Sequence, residues 1–289
     1  MIQWYFLALI SALFSAGAAV VQKKVLFKES AINFVFVLAL FNLVISIPFF
    51  FFIESGSLNY TNLLVLFIRT LLEGVGFLCV MIGIKNLELS RALPLLVLTP
   101  GLVAFLAFFI LGESICSLAL LGMLLLLAGT YILQLGESKF SVPFRAFINS
   151  KGHKYLVIAL FVFAFSAVLD KSLLKGFGLP INAFMGFQHL FYALIFFVIL
   201  LFMGGVKSVS FKNSWKWILL VALFTITYRY TYLWSVRDSS SVALALSMKR
   251  TAVFFAILVG GRLFKEHDFW KRVLATLVMI IGAILIIVY

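Results

Sequence analysis

Apolar residues along this chain come in long unbroken runs, not in stripes. Taking runs bounded by charges, turn residues or polar clusters gives ten: 2–21, 33–53, 63–84, 92–111, 115–135, 155–174, 181–203, 217–236, 242–261 and 269–288. Each holds about 20 residues, the length a helix needs to cross a hydrocarbon core of about 30 Å. Membrane-spanning strands alternate apolar and polar positions over about ten residues. These runs are apolar on every side for twice that length, so helices are expected even where Phe clusters, as at 48–52. The pattern predicts an all-α membrane protein of about ten transmembrane helices.

Composition agrees with lipid surroundings. The 289 residues are 64% hydrophobic and 11% charged, against roughly 45–50% and 25% in soluble domains. So little charge cannot cover a water-facing surface. The net charge of +13 sits mostly between the apolar runs, where the positive-inside rule puts basic residues, so no nucleic-acid partner is expected. Cys79 and Cys116 lie in or beside apolar stretches and read as free thiols, not as a disulfide framework. Residues 2–21 carry no basic leader before the apolar run, so they are expected to form the first span and not a removable signal.

The long polar connection is residues 136–154, with Pro143, several Ser and four basic residues near the midpoint. It divides the chain into a first five-helix unit at 1–138, a basic linker at 139–154 and a second five-helix unit at 155–289. The halves also echo one another. Residues 19–26 align with 167–174 with four of eight positions identical, and Ser90-Arg91-Ala92-Leu93 matches Ser241-Val242-Ala243-Leu244. Glu113 falls opposite Glu266, and Gly129 opposite Gly282, each 153 residues apart. Five helices per unit is odd, so tandem copies cross the membrane in opposite directions. Such inverted repeats place a solute site near the midplane, between the halves.

Residues 90–129 run from a polar start through Thr99-Pro100 to Leu111-Gly112-Glu113 and a Gly122…Gly129 helix. Residues 241–287 repeat this with Lys249-Arg250-Thr251, Phe264-Lys265-Glu266 and Gly282. On these stretches the chain resembles the EamA-like branch of the drug/metabolite transporter superfamily. The resemblance implies a ten-helix, two-repeat secondary carrier with a central cavity. Lys249-Arg250 is also similar to a Lys-Arg pair of the triose-phosphate and nucleotide-sugar carriers, where that pair is associated with phosphate-bearing substrates.

Charged side chains in a bilayer cost roughly 2.5–3.5 kcal/mol each or more, so those inside the runs are the first candidates for function. Lys249 and Arg250 lie on the order of 11 Å into the ninth run at 1.5 Å per residue. There they suit a carboxylate or phosphate, with Arg supplying a planar fork; pairing with a distant acid or snorkelling is the alternative. Arg69 and Glu73, four apart on one helix face, pair with each other, or leave Glu73 to carry a proton or contact substrate. Asp170 and Lys171, aligned with Gln22 and Lys23, read as repeated helix ends. Arg229 sits among Tyr228, Tyr230, Tyr232 and Trp234, an aromatic cluster that suits either an interfacial belt or a cavity wall. His189, beside Gln188, reads as a hydrogen-bonded packing residue. Thr99-Pro100 interrupts a helical hydrogen bond and suits a hinge or cavity lining.

No metal-ligand cluster, nucleophile elbow or phosphate loop occurs, so neither an enzyme nor a cofactor is expected. The substrate-binding set is Arg250, Lys249, Glu73, Arg69, Arg229, Tyr228, Tyr232 and Thr99. The expected function is alternating-access transport of a small organic solute, anionic or zwitterionic, in a cell or inner membrane. Translocation of a lipid or lipid-linked sugar, or a non-transporting scaffold or sensor, are the alternatives. The expected partners are the small-molecule substrate and membrane lipid, with the chain a monomer or homodimer. Odd-numbered connections hold sixteen basic residues, against Lys171, Lys175 and Arg237 on the other side. This bias predicts external termini, whereas the resemblance implies cytoplasmic ones.

Overall fold

A computed structural model of the chain describes residues 3–53, 58–86, 96, 99–114, 116–134, 151–202 and 214–252, with positions 255, 256, 259, 274, 275, 277–279, 281, 282, 284 and 285. Among them the regular elements are helices: α1 Trp4–Leu26, α2 Ala31–Phe50, α3 Tyr60–Asn86, α4 Thr99–Leu111, α5 Ser117–Gln134, α6 Lys151–Lys171, α7 Ile181–Phe202, α8 Trp215–Asp238 and α9 Val242–Arg250. A single π-helical turn, Ser172–Gly176, follows α6. The described positions from 274 to 285 are helical too. Among the described residues, five helices are long and apolar enough to cross a membrane: α1, α2, α3, α6 with its π turn, and α7. The expected count of ten reaches into residues outside this set. So does most of the linker read at 139–154, although α6 begins at Lys151, inside it.

Local chemistry sets the helix ends. Ser30 Oγ accepts from Asn33 N–H at 3.2 Å to start α2, and Ser241 Oγ accepts from Ala243 N–H at 3.2 Å to start α9, the usual service of a serine at an N-cap. α4 stops at Gly112, whose φ of 67° is one that side chains resist. There the next amide, Glu113 N–H, turns back to Ala107 O at 3.3 Å.

Helix packing obeys an exchange rule: replacing each helix by the one five places along turns most of the main contacts into others. α1 packs on α8 and α6 on α3, α4 packs on α6 and α9 on α1, α2 packs on α8 and α7 on α3, while α2–α7 and α4–α9 map onto themselves. Direction follows from individual contacts. Ser11 donates to Tyr228 O at 2.7 Å while Lys24 lies over Trp217, so α1 and α8 run antiparallel. Arg69 meets Asp170 while Gly83 meets Leu156, so α3 and α6 do as well.

The rule holds at the level of atoms. A Cβ on Gly129 would lie 2.7 Å from Ala275 O and 3.2 Å from Met279 N, and one on Gly282 would lie 2.5 Å from Gly122 O and 3.0 Å from Leu126 N. Every residue of the first set lies 153 positions from its counterpart in the second, Gly129 before Gly282 and Ala275 and Met279 after Gly122 and Leu126. The two glycines therefore let α5 and the last helical stretch approach backbone to backbone, as small residues do in membrane bundles. Lys23 Nζ donates to Ile84 O at 2.5 Å, and its aligned partner Lys171 donates to Val236 O at 3.0 Å and Ser239 O at 2.6 Å. Both lysines are buried, so neither acts as the loop charge that the topology count assumed.

Candidate functional site

Four helices contribute to one buried polar network. Arg69 and Glu73, a turn apart on α3, form an ion pair. Asp170, at the end of α6, accepts both Arg69 Nε at 2.5 Å and Arg69 Nη2 at 3.1 Å. Gln188 of α7 places its Oε1 between two guanidinium groups, 2.9 Å from Arg69 Nη1 and 3.0 Å from Arg229 Nε. Arg229 of α8 also reaches Asp170 at 3.3 Å and Glu73 at 3.1 Å. Both guanidinium groups stand over the Phe184 ring, 5.3 and 5.8 Å from its centroid. Two positive and two negative charges thus meet in an apolar bundle, the balance that burial requires.

A second set of charges has no such balance. Lys249 and Arg250 end α9. Lys249 Nζ lies 4.1 Å from the Tyr232 ring centroid and 4.8 Å from that of Tyr228, close enough for cation–π attraction. Arg250 Nη2 donates to Thr99 Oγ1 at 3.2 Å. Among the described residues neither cation reaches a carboxylate within ion-pair distance. Thr99 is held for this contact by its neighbour: Pro100 has no N–H for the Leu96 carbonyl, and the Thr99 hydroxyl donates to that carbonyl instead, at 2.6 Å.

The start of α9 is tied across the halves. Glu113, just past α4, accepts from Ser241 Oγ at 2.8 Å and from Val242 N–H at 3.1 Å, and lies 3.9 Å from Lys171. A carboxylate at a helix N-terminus meets unpaired N–H groups and the positive end of the dipole. Lys249 and Arg250 therefore ride on a helix anchored at both ends, by Glu113 at the start and by Thr99 at the finish.

Both sets face one cavity of about 180 Å³. Of the residues proposed from sequence, Arg69, Glu73, Arg229, Tyr228, Tyr232, Lys249 and Arg250 line it. Thr99 is fully buried and touches the cavity only through Arg250. The aromatic cluster around Arg229 forms cavity wall at Tyr228 and Tyr232. Arg69 and Glu73 pair as expected, but within a larger network. Asp170 and Gln188 were absent from the proposed set. Lys171 does serve as a helix-end lysine, but Asp170 beside it turns inward. The signal available was its alignment with Gln22, which lines the same cavity: a polar residue at the same place in both halves. The π turn directly after Asp170 and Lys171 is the kind of helix irregularity that often marks functional sites.

The EamA-like transporter family model matches the chain twice, over residues 2–135 and 150–288. The chain belongs to the EamA-like transporter family. Members of this family are transporters, and the two matches are its two repeats, so the protein is a multi-pass membrane protein of two-repeat architecture. A solved structure described only as the crystal structure of a protein shares the fold, with a TM-score of 0.69 at 17% identity, covering 98% of this chain and 94% of that one. No curated protein matches the sequence.

Proposed function

We propose that this EamA-like transporter carries a small organic anion or zwitterion across a cell or inner membrane by alternating access of two inverted five-helix halves. The observation that carries the reading is the charge inventory of the cavity. Arg69 and Arg229 are neutralised by Asp170 and Glu73, whereas Lys249 and Arg250 face the cavity against tyrosine rings and a threonine hydroxyl. An anionic group in the cavity would complete their coordination, with the Arg250 fork matching a carboxylate or phosphate. Glu73, whose side chain is 19% exposed, offers a carboxylate to a cationic group on the same solute. The antiparallel course of α1 against α8 and of α3 against α6, with the exchange rule, supports ten spans in two inverted units. A cavity between such units can open to either side as one half rocks against the other.

The test is a thermal-stability screen of detergent-purified protein against anionic, zwitterionic, cationic and neutral metabolites, repeated with Arg250→Ala. A ligand at about 100 times its Kd adds roughly 2.7 kcal/mol. Carboxylates or phosphates stabilise the wild type and lose that effect in the variant. Stabilisation by cations or lipids alone, or stabilisation unchanged by the substitution, would overturn the reading.

A further inference from the structure

The cavity wall holds more polar chemistry than an anion needs. Asn42 on α2, Ser166 on α6 and His189 on α7 are 6%, 2% and 1% exposed, and all three line the cavity. Asn42 Oδ1, Ser166 Oγ and His189 Nδ1 have no hydrogen-bond partner among the described residues. Ser166 lies one helical turn before Asp170. His189 follows Gln188, with its Nε2 3.5 Å from the Gln188 amide nitrogen. Two of the three groups thus flank the side chains that grip Arg69, and the third comes from a helix packed on α7 and α8.

Buried groups of this kind are costly in an apolar bundle unless something pairs with them. Between them they can accept at an amide oxygen, donate or accept at a hydroxyl, and do either at an imidazole nitrogen according to its tautomer. None carries a charge of its own in that role, which separates them from Lys249 and Arg250. Other parts of the wall are apolar, Val35, Leu38 and Phe77 among them, so an aliphatic solute could fill the space but would leave all three groups unpaired.

We infer that the solute is a hydroxylated or amide-bearing organic anion, its charge held by Lys249 and Arg250 and its neutral groups by Asn42, Ser166 and His189. The inference rests on the anion reading above and narrows it. A site built to hydrogen-bond hydroxyl groups rejects the analogue that lacks them, because its own polar atoms are then left unsatisfied.

Paired probes of equal charge and chain length test this: gluconate against hexanoate, and glycerol 3-phosphate against propyl phosphate. Each is titrated by thermal stabilisation of the purified full-length protein, in wild type, Ser166→Ala, Asn42→Leu and Arg250→Ala. The hydroxylated member of a pair binds on the order of tenfold more tightly in the wild type. That ratio falls towards one in Ser166→Ala or Asn42→Leu, while Arg250→Ala weakens both members together. A ratio near one in the wild type, or a ratio that survives both substitutions, overturns the inference and leaves the anion reading standing. If no anion binds, or Arg250→Ala changes nothing, the anion reading falls and the inference with it. A ratio measured within one preparation is unaffected by how much of a variant folds.

Discussion

Asp170→Leu removes the carboxylate that takes two bonds from Arg69, at 2.5 and 3.1 Å, and lies 3.3 Å from Arg229. Two buried guanidinium groups then share Glu73 as their one remaining carboxylate. Breaking a buried ion pair from one side costs about 3–5 kcal/mol, chiefly because the surviving charge is left uncompensated. At about 2–4 °C per kcal/mol for chains above roughly 150 residues, the apparent Tm falls by on the order of 10 °C. The same reasoning predicts a rescue. Asp170→Leu combined with Arg69→Met removes one charge of each sign and leaves Arg229 with Glu73 and Gln188, a balanced remainder. Most of the loss is therefore recovered, and the double-mutant cycle gives a coupling of about 2 kcal/mol or more. Size-exclusion chromatography of heated detergent samples, followed by protein fluorescence, measures all four species. If the two single losses simply add, or if Asp170→Leu melts like the wild type, charge balance is not what holds the network.

Gly282→Leu and Gly129→Leu each push a side chain into backbone across the same interface. Both lower stability by about 1–3 kcal/mol, and by similar amounts because the contacts are related by the repeat; a clear inequality in their melting curves would contradict that equivalence. Thr99→Val keeps the shape but removes the hydroxyl that holds Arg250, so the affinity for stabilising anions drops about tenfold, read by ligand titration of thermal stability; unchanged affinity would show that Thr99 does not position Arg250. Glu113→Ala strips the cap from the start of α9 at a cost of about 1 kcal/mol, seen as a Tm lowered by a few degrees, and Glu113→Gln, which keeps an acceptor, loses less.

The architecture was legible because its signals are long and repeated. Runs of about 20 apolar residues mark helices without reference to any face, and the 153-residue offset linking Gly129 to Gly282 reappears as paired backbone contacts between the two segments. The wiring of the site was far less legible. A helix that is apolar all round carries no stripe to say which side meets the bundle, so nothing local tells Arg69 that its partner is Asp170, 101 residues away. Proximity in sequence also misled. Lys171 does bond to carbonyls at a helix end, and the same reading passed to Asp170 although a step of one residue turns a helical side chain by about 100°. The charge count met a related difficulty, since Lys23 and Lys171 are spent on buried carbonyls and not displayed at a membrane surface.

The most direct test of the central claim is flux. Purified protein is reconstituted in liposomes, and uptake of labelled gluconate, glycerol 3-phosphate and alanine is followed for wild type and Arg250→Ala. Saturable uptake of at least one of these solutes above protein-free liposomes, abolished by the substitution, is the predicted result. Uptake that is absent for every solute, or that persists equally in Arg250→Ala, would contradict an anion or zwitterion carrier built around Arg250.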